Sequence, residues 1–380
     1  YDNEKLMIVW SDHFEEDWEN LSLIKTKLSE GVLKTLNKNS GPLSTINTIN
    51  SIAYEYYLKA KYSYLKRQNS EDTEIVRSMY KKAFKLDSKL INAKLGLGET
   101  YLETGNYNKA KKIFKESINI AEELKDLSSK AKAFDGIGNI HWHKGDYDKS
   151  LDNLYISLDI MKKLNNQSGV AKSLHHIGHN YYYKGDYDKA NEYYSRSMNI
   201  IKKLGDRKRM GHALLSLGNI YEVKNNLDEA LNSYEESYLI SKEFNDKYAA
   251  GYAQMGIGNI YIKLIKYDKA IKYYNLSLET RIEIEDKNGI AHLHHNIGVT
   301  YKKMYNYPSS LESFSRALHL TNELGDKYSS SASLKHIGEI FRILGDYKKS
   351  IKAHHEALEL RKNIEQNDYI VESLNSLGIT

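Results

Sequence analysis

The chain has 380 residues, 28% of them charged, a formal net charge of +5 and no cysteine. Without thiols there is neither a disulfide framework nor a thiolate metal site. The small positive excess, with lysines and acids interleaved, argues against nucleic-acid binding. No run approaches the ~18 apolar residues that cross a bilayer, and no signal-peptide pattern stands near residue 1, so a cytoplasmic protein without a membrane partner is expected.

Residues 1–36 read as the end of a small α/β domain. Leu6-Met7-Ile8-Val9-Trp10 is a short strand, and Asp17 to Leu36 an amphipathic helix with Trp18, Leu21, Ile24, Leu28 and Leu33 at helical spacing. Residues 37–50 form a polar linker. Within 51–89, Ser51 to Arg67 and Asp72 to Leu86 make a first, atypical helical pair, with Ala60 at its small-residue position.

From residue 90 to 369 one forty-residue unit is copied seven times, and residues 370–380 begin a further, truncated one. Glycine marks the period: Gly98, Gly138, Gly178, Gly218, Gly258, Gly298, Gly338 and Gly378. An aromatic or imidazole ring follows three residues later, from Tyr101 and His141 to Phe341, and a small residue twelve later, from Ala110 to Ser350. Sixteen residues on stand Phe114, Leu154, Tyr194, Tyr234, Tyr274, Phe314 and His354. Self-similarity of this length means stacked supersecondary units, which usually present a binding surface.

Within one unit, apolar spacing predicts helices from Asn92 to Leu102 and from Asn108 to Leu124. Gly105 is placed to end the first in the left-handed conformation, and Asn106 to cap the second. The turn recurs at Gly145-Asp146, Gly185-Asp186 and Gly345-Asp346. Glycine and the small residue twelve on are expected to let the two helices approach, Gly218 against Ala230. The expected fold is an all-α solenoid with a small N-terminal α/β remnant.

Leu97-Gly98, Tyr101, Ala110, Phe114 and Ser117 resemble the hallmark positions of the tetratricopeptide repeat, and the later units repeat the match over roughly residues 54–380. The resemblance implies a right-handed superhelix. Two departures stand out: the period is forty rather than the usual thirty-four, and Glu122 and Lys162 replace the proline that closes the second helix. The extra residues, such as Leu124-Lys125-Asp126-Leu127, are expected to lengthen the second helix and its turn. Forty-residue units resemble those of kinesin light chains and bacterial peptide-sensing regulators, which bind proteins or peptides.

A second resemblance covers the N-terminal part. Trp10-Ser11-Asp12-His13-Phe14 and Tyr56-Tyr57-Leu58-Lys59-Ala60-Lys61-Tyr62 are similar to the α/β-to-repeat junction of bacterial adenylate cyclase, kinase and winged-helix regulators, from which His13 and Lys25 depart. It implies an upstream effector. The start at Tyr1 and the end at Thr380 in mid-helix accordingly read as cuts through a longer signalling protein.

In tetratricopeptide repeats the second, fifth and ninth positions of the first helix line a concave groove. The ninth holds Asn139, Asn219 and Asn259, and the resemblance implies that these amides bind the backbone of an extended peptide. Mid-helix asparagine is intrinsically unfavourable, which favours that role over bonding within its own helix. Trp142, Tyr182, Tyr183, Tyr252 and Ile262 would supply aromatic and apolar contact. His175 and His179, four apart on one face, and His212 at the next second position converge in this scheme. That spacing suits either a metal or neutral groove-lining side chains. The second is expected, with no cofactor, because no carboxylate stands out to complete a ligand shell.

Asp135 and Leu215 break the lysine-asparagine clamp for chaperone tails. With no phosphate loop, nucleophile elbow or metalloprotease helix, catalysis is not expected. The expected function is a protein- or peptide-binding scaffold in the regulatory part of a bacterial signalling protein, its partner an extended peptide, a protein or its own upstream effector. The alternative is an autoinhibitory, small-molecule-sensing region of a nucleotide cyclase or protein kinase.

Overall fold

The computed structural model describes residues 50–66, 70–362 and Gly378, and contains sixteen helices and no strand among them. The expected strand at Leu6–Trp10, the helix at 17–36, most of the linker and all of unit 370–380 except Gly378 lie outside the described residues. The first helices are α1 (Ser51–Lys66), α2 (Ser70–Leu86), α3 (Ile91–Glu103), α4 (Tyr107–Glu123) and α5 (Leu127–His143). They are followed by α6 (Tyr147–Lys163), α7 (Gln167–Tyr183), α8 (Tyr187–Leu204), α9 (Arg207–Val223), α10 (Leu227–Glu243) and α11 (Lys247–Lys263). The series closes with α12 (Tyr267–Glu283), α13 (Lys287–Lys303), α14 (Tyr307–Glu323), α15 (Lys327–Ile343) and α16 (Tyr347–Lys362).

Short turns explain the regularity. Gly105, Gly145, Gly185 and Gly345 take φ of 72° to 80°, the left-handed region that ends a helix. Ile265 and Tyr305 occupy the same turn at φ 60° and 59°, a conformation that strains a β-branched side chain. Asn106 stands at the N-cap of α4, but its side chain makes no capping bond, contrary to the reading above. The stronger caps lie between repeats. Asp126, Asn166, Asp206, Asp246, Asp286 and Asp326, forty apart, each accept from the backbone N–H three residues on, at 2.9–3.0 Å. A cap of this kind is worth ~1 kcal/mol. The added residues therefore serve both helices: Leu124 closes α4, Lys125 takes the left-handed turn at φ 57°, and Leu127 opens α5.

The described residues divide at Ile140–His141, within α5, into two compact units. In the first, Ile91, Leu95, Tyr101, Phe114 and Ile137 form one core cluster. Phe114 is wedged where Gly98 and Gly136 leave room: an added Cβ would lie 2.7 Å and 2.6 Å from its ring. The second unit repeats the device. A Cβ at Gly178 would meet Tyr194, at Gly258 Tyr274, and at Gly298 Phe314, all within 2.9 Å. Gly218 likewise faces the Tyr234 ring at 2.7 Å. The contact that demands glycine is thus the ring sixteen residues on, and not Ala230 twelve on. The small residue still lies close to the glycine's backbone in at least one repeat, since Ser310 Oγ donates to the Gly298 carbonyl at 2.7 Å.

Three of the serines nineteen past a glycine tie the pair at its other end. Ser197, Ser237 and Ser277 donate to the carbonyls of Ala171, Gly211 and Gly251 at 2.7–2.8 Å. In this unit α7 touches α9, α9 touches α11 and α13 touches α15. First helices therefore lie side by side, presenting one face built from the same register positions.

Candidate functional site

Asn219 and Asn259 sit half-buried on α9 and α11, each against the tyrosine of its own repeat. Tyr274 Oη donates to Asn259 Oδ1 at 2.7 Å. Tyr234 Oη lies 2.7 Å from Asn219 Oδ1 and 2.8 Å from a Glu222 carboxylate oxygen. A phenol has one proton, and the carboxylate is the stronger acceptor. With the proton on that bond, Asn219 meets the hydroxyl through its amide nitrogen, the reverse of Asn259; the two orientations of an amide differ only by a flip. One asparagine is then left with a carbonyl oxygen to offer, the other with an NH2. Asn139 belongs to the first unit, on α5, and is half-buried. The residue fifteen further on in its repeat is Leu154, which has no hydroxyl.

Beside the asparagines, aromatic side chains collect. Trp142 stacks on His179 with ring centres 4.7 Å apart, and Tyr183 stands edge-on to both at 5.1 Å and 5.0 Å. Tyr182 packs edge-on against Tyr183 and Tyr187. Tyr183 remains 50% exposed, so half of its own surface is open to a ligand. Trp142 Nε1 is buried without a hydrogen-bond partner among the described residues.

The three histidines do not converge as one group. His175 and His212 line a cavity of about 220 Å³ between α7, α8 and α9, together with His176, Ile201 and Arg209. His179 turns instead to Trp142. Burial pushes the His175 imidazole down to about 3, with His176 next among the causes, and burial pushes His179 down to about 4. Both are neutral at pH 7. His175 packs 5.1 Å from the Tyr194 ring and its Nε2 lies 3.4 Å from Ser216 Oγ.

A carboxylate does attend His212, which the sequence did not reveal: Nε2 is 3.1 Å from Asp246 Oδ2. Its hydrogen bond with His212, followed by the capping bond from Ala249, outweighs burial and holds Asp246 at about 2. A depressed carboxylate stabilises the fold above its unfolded value and loses that contribution as pH falls through its folded value. Asp246→Asn should therefore lower Tm at pH 7, with the gap to wild type closing between pH 4 and pH 2. A two-unit shift corresponds to ~2.7 kcal/mol, which solvent screening at this partly buried site reduces to ~1 kcal/mol. A gap that stays constant with pH would show that the carboxylate contributes no charge-dependent stability.

Tyr252 occupies the second position of α11, but its ring is engaged from below. The Arg281 guanidinium lies 4.1 Å from its centre, and the Tyr248 hydroxyl donates to that of Tyr252 at 3.2 Å. Arg281 is only 1% exposed and is ion-paired to Asp286, while its Nε and Nη2 are buried without partners among the described residues. Ile262, on the same helix, is half-buried.

Glu222, Tyr234, Tyr274, Arg209 and Asp246 escaped sequence reasoning as site residues. A signal existed for Glu222: it is the one acid in a forty-residue column that otherwise holds Leu102, Trp142, Tyr182, Ile262, Lys302 and Arg342.

The family model described as tetratricopeptide repeat matches residues 89–163, 129–203 and 169–243, and another of that description matches 252–281. Residues 89–243 and 252–281 are therefore tetratricopeptide repeats. A model described as anaphase-promoting complex subunit 5 matches residues 294–377 of this repeat protein. Comparison with curated proteins returned no relative. Among solved structures, the repeat protein is similar to a Rap protein complexed with the competence and sporulation factor, at 16% identity and TM-score 0.63 over 94% of each chain. It is similar to the apo quorum sensor NprR from B. thuringiensis, at 16% identity and TM-score 0.62 over 90% of this chain and 96% of that one. A signal transduction ATPase with a tetratricopeptide repeat sensor from Pyrococcus horikoshii follows at 16% identity and TM-score 0.61, over 85% of this chain and 55% of that one. The repeat protein thus spans about half of that ATPase. At such identities the likeness is one of fold.

Proposed function

We propose that the first-helix face binds an extended peptide segment through its main chain, as the ligand-receiving part of a regulatory protein. Asn219 and Asn259 carry this reading. They stand at the same register in adjacent repeats, each anchored by a tyrosine hydroxyl, and with opposite amide sense they offer an acceptor and a donor. An extended backbone presents both groups whatever its side chains. Trp142, Tyr182 and Tyr183 add aromatic contact of the kind that dominates binding energy, and Asn139 holds the same register in its own repeat of the sequence. The similar Rap protein was solved with the competence and sporulation factor, and NprR is a quorum sensor, which supports a sensing role. A free peptide and an extended segment of an upstream effector present the same main chain.

A pool of random-sequence peptides, captured on the full chain and re-measured singly, tests this. The Asn139→Ala, Asn219→Ala, Asn259→Ala triple variant should lose at least tenfold in affinity, about 1.4 kcal/mol. Its helical circular dichroism should hold, since alanine is the better helix former. Replacing Lys111, Lys112 and Lys115 on α4 should change affinity less than twofold, roughly the effect of exposed charges. Capture that depends on the lysines and ignores the asparagines would place the working surface on the second helices and sink the proposal.

A further inference from the structure

We infer that the cavity between α7, α8 and α9 receives the C-terminal residue of the bound peptide, its apolar side chain inside and its free carboxylate at Arg209. This rests on the peptide-binding reading above. At about 220 Å³ the cavity is smaller than the ~300–1,000 Å³ of small-molecule sites and suits one side chain. At its base lie the Ala171 methyl, the Ile201 side chain, 3% exposed, the His175 ring, which burial keeps neutral, and the Ser197 hydroxyl, which is spent on the Ala171 carbonyl.

The mouth is basic. Arg209 gives Nε to Asp206 at 2.6 Å and Nη1 to the Ser168 carbonyl at 3.1 Å. No protein partner is seen for Nη2 among the described residues. Lys172 is exposed at the same opening. The two acids nearby are engaged, Asp206 by Arg209 and Asp246 by His212. An incoming carboxylate therefore meets a guanidinium with a donor to spare, and no unpaired anion of the cavity wall opposes it.

Eighty residues further on, the chain shows the same place filled. There Ala171, Ile201 and Arg209 correspond to Gly251, Arg281 and Gly289. The Arg281 side chain lies against both glycines, such that a Cβ at Gly251 would be 3.4 Å from its Cγ and one at Gly289 would collide with its guanidinium. A long side chain with a charged tip thus fits between these helices, its charge answered by Asp286. Between α7 and α9 the shorter Ile201 leaves the space open, and the charge waiting at its edge is positive.

The experiment uses one random octapeptide pool in two forms, free acid and C-terminal amide, against the full chain. Free acids ending in apolar or aromatic residues should be enriched, and amidation of an enriched peptide should weaken binding at least tenfold. Arg209→Gln should abolish that acid-over-amide preference while leaving the amide's affinity within twofold; Lys172→Gln should reduce the preference in the same direction. Asn219→Ala with Asn259→Ala should weaken both forms alike. Equal binding of acid and amide, or a preference that survives Arg209→Gln, would overturn the carboxylate assignment while leaving the main-chain reading intact. Failure of both forms to bind would overturn both. N-acetylphenylalanine binding as tightly as the enriched peptide would replace the peptide terminus by a small aryl carboxylate.

Discussion

Replacing Tyr234 by alanine is expected to destabilise the protein by ~3–5 kcal/mol, the range for truncating a large buried aromatic side chain. The ring is 1% exposed and is clasped from both sides, by Gly218 of its own repeat and Gly256 of the next. No neighbouring side chain projects from either glycine to collapse into the hole. In a stacked array stability is a sum of unit and nearest-neighbour terms, so the loss falls on the two interfaces that share the ring. Hydrogen exchange should rise across α9 to α11 while more distant helices keep their protection, and the melting transition should broaden. Tyr234→Phe retains the packing and removes only the hydroxyl bonds, at ~1 kcal/mol. Gly218→Leu attacks the same contact from the other side and should cost ~1–3 kcal/mol by overpacking. A Tyr234→Ala protein with an unchanged, single transition would contradict the shared-ring account.

Asp286→Ala is expected to destabilise by a comparable ~3–5 kcal/mol, because it strands a buried cation. Among the described residues Arg281 is ion-paired to Asp286 alone, and two of its nitrogens lack partners. Asp286 also caps α13 through the Gly289 N–H at 2.9 Å. Asp286→Asn separates the two losses, since an amide oxygen can keep the cap. Arg281→Met should behave in the opposite way: removing a half-satisfied guanidinium while keeping an apolar stem is expected to be neutral or to stabilise by ~1–4 kcal/mol. Urea unfolding of the single variants and the double variant measures the coupling. If Arg281→Met proves as damaging as Asp286→Ala, the ion pair contributes net stability and the desolvation argument fails here.

The helix pairs and their turns were legible because their causes are local. A glycine every forty residues, Gly105-type turn ends and apolar residues at helical spacing act within a few residues of where they stand. The cap ladder from Asp126 to Asp326 is equally local and could have been read from its forty-residue spacing. Asn139, Asn219 and Asn259 were singled out by their register in the repeat and by the resemblance, and Trp142, Tyr182 and Tyr183 by their place beside it.

What the linear chain left open were choices between partners brought together by the turn and by stacking. Gly218 was read against Ala230, twelve residues on, whereas the ring of Tyr234, sixteen on, fills the gap; spacing gives the facing helix but not which side chain crosses to it. His175 and His179 share a helical face, yet one borders the Arg209 cavity and the other lies under Trp142, because the neighbouring repeats differ. At Asn219 the Glu222 carboxylate competes for the one phenolic proton of Tyr234, at 2.8 Å against 2.7 Å, whereas Asn259 holds the Tyr274 hydroxyl with no such carboxylate bonded to it among the described residues. Repetition in the sequence determined the periodic scaffold through local helix and turn energetics; only tertiary stacking decided the chemistry of each position on its face, because burial and hydrogen-bond partners come from neighbouring helices.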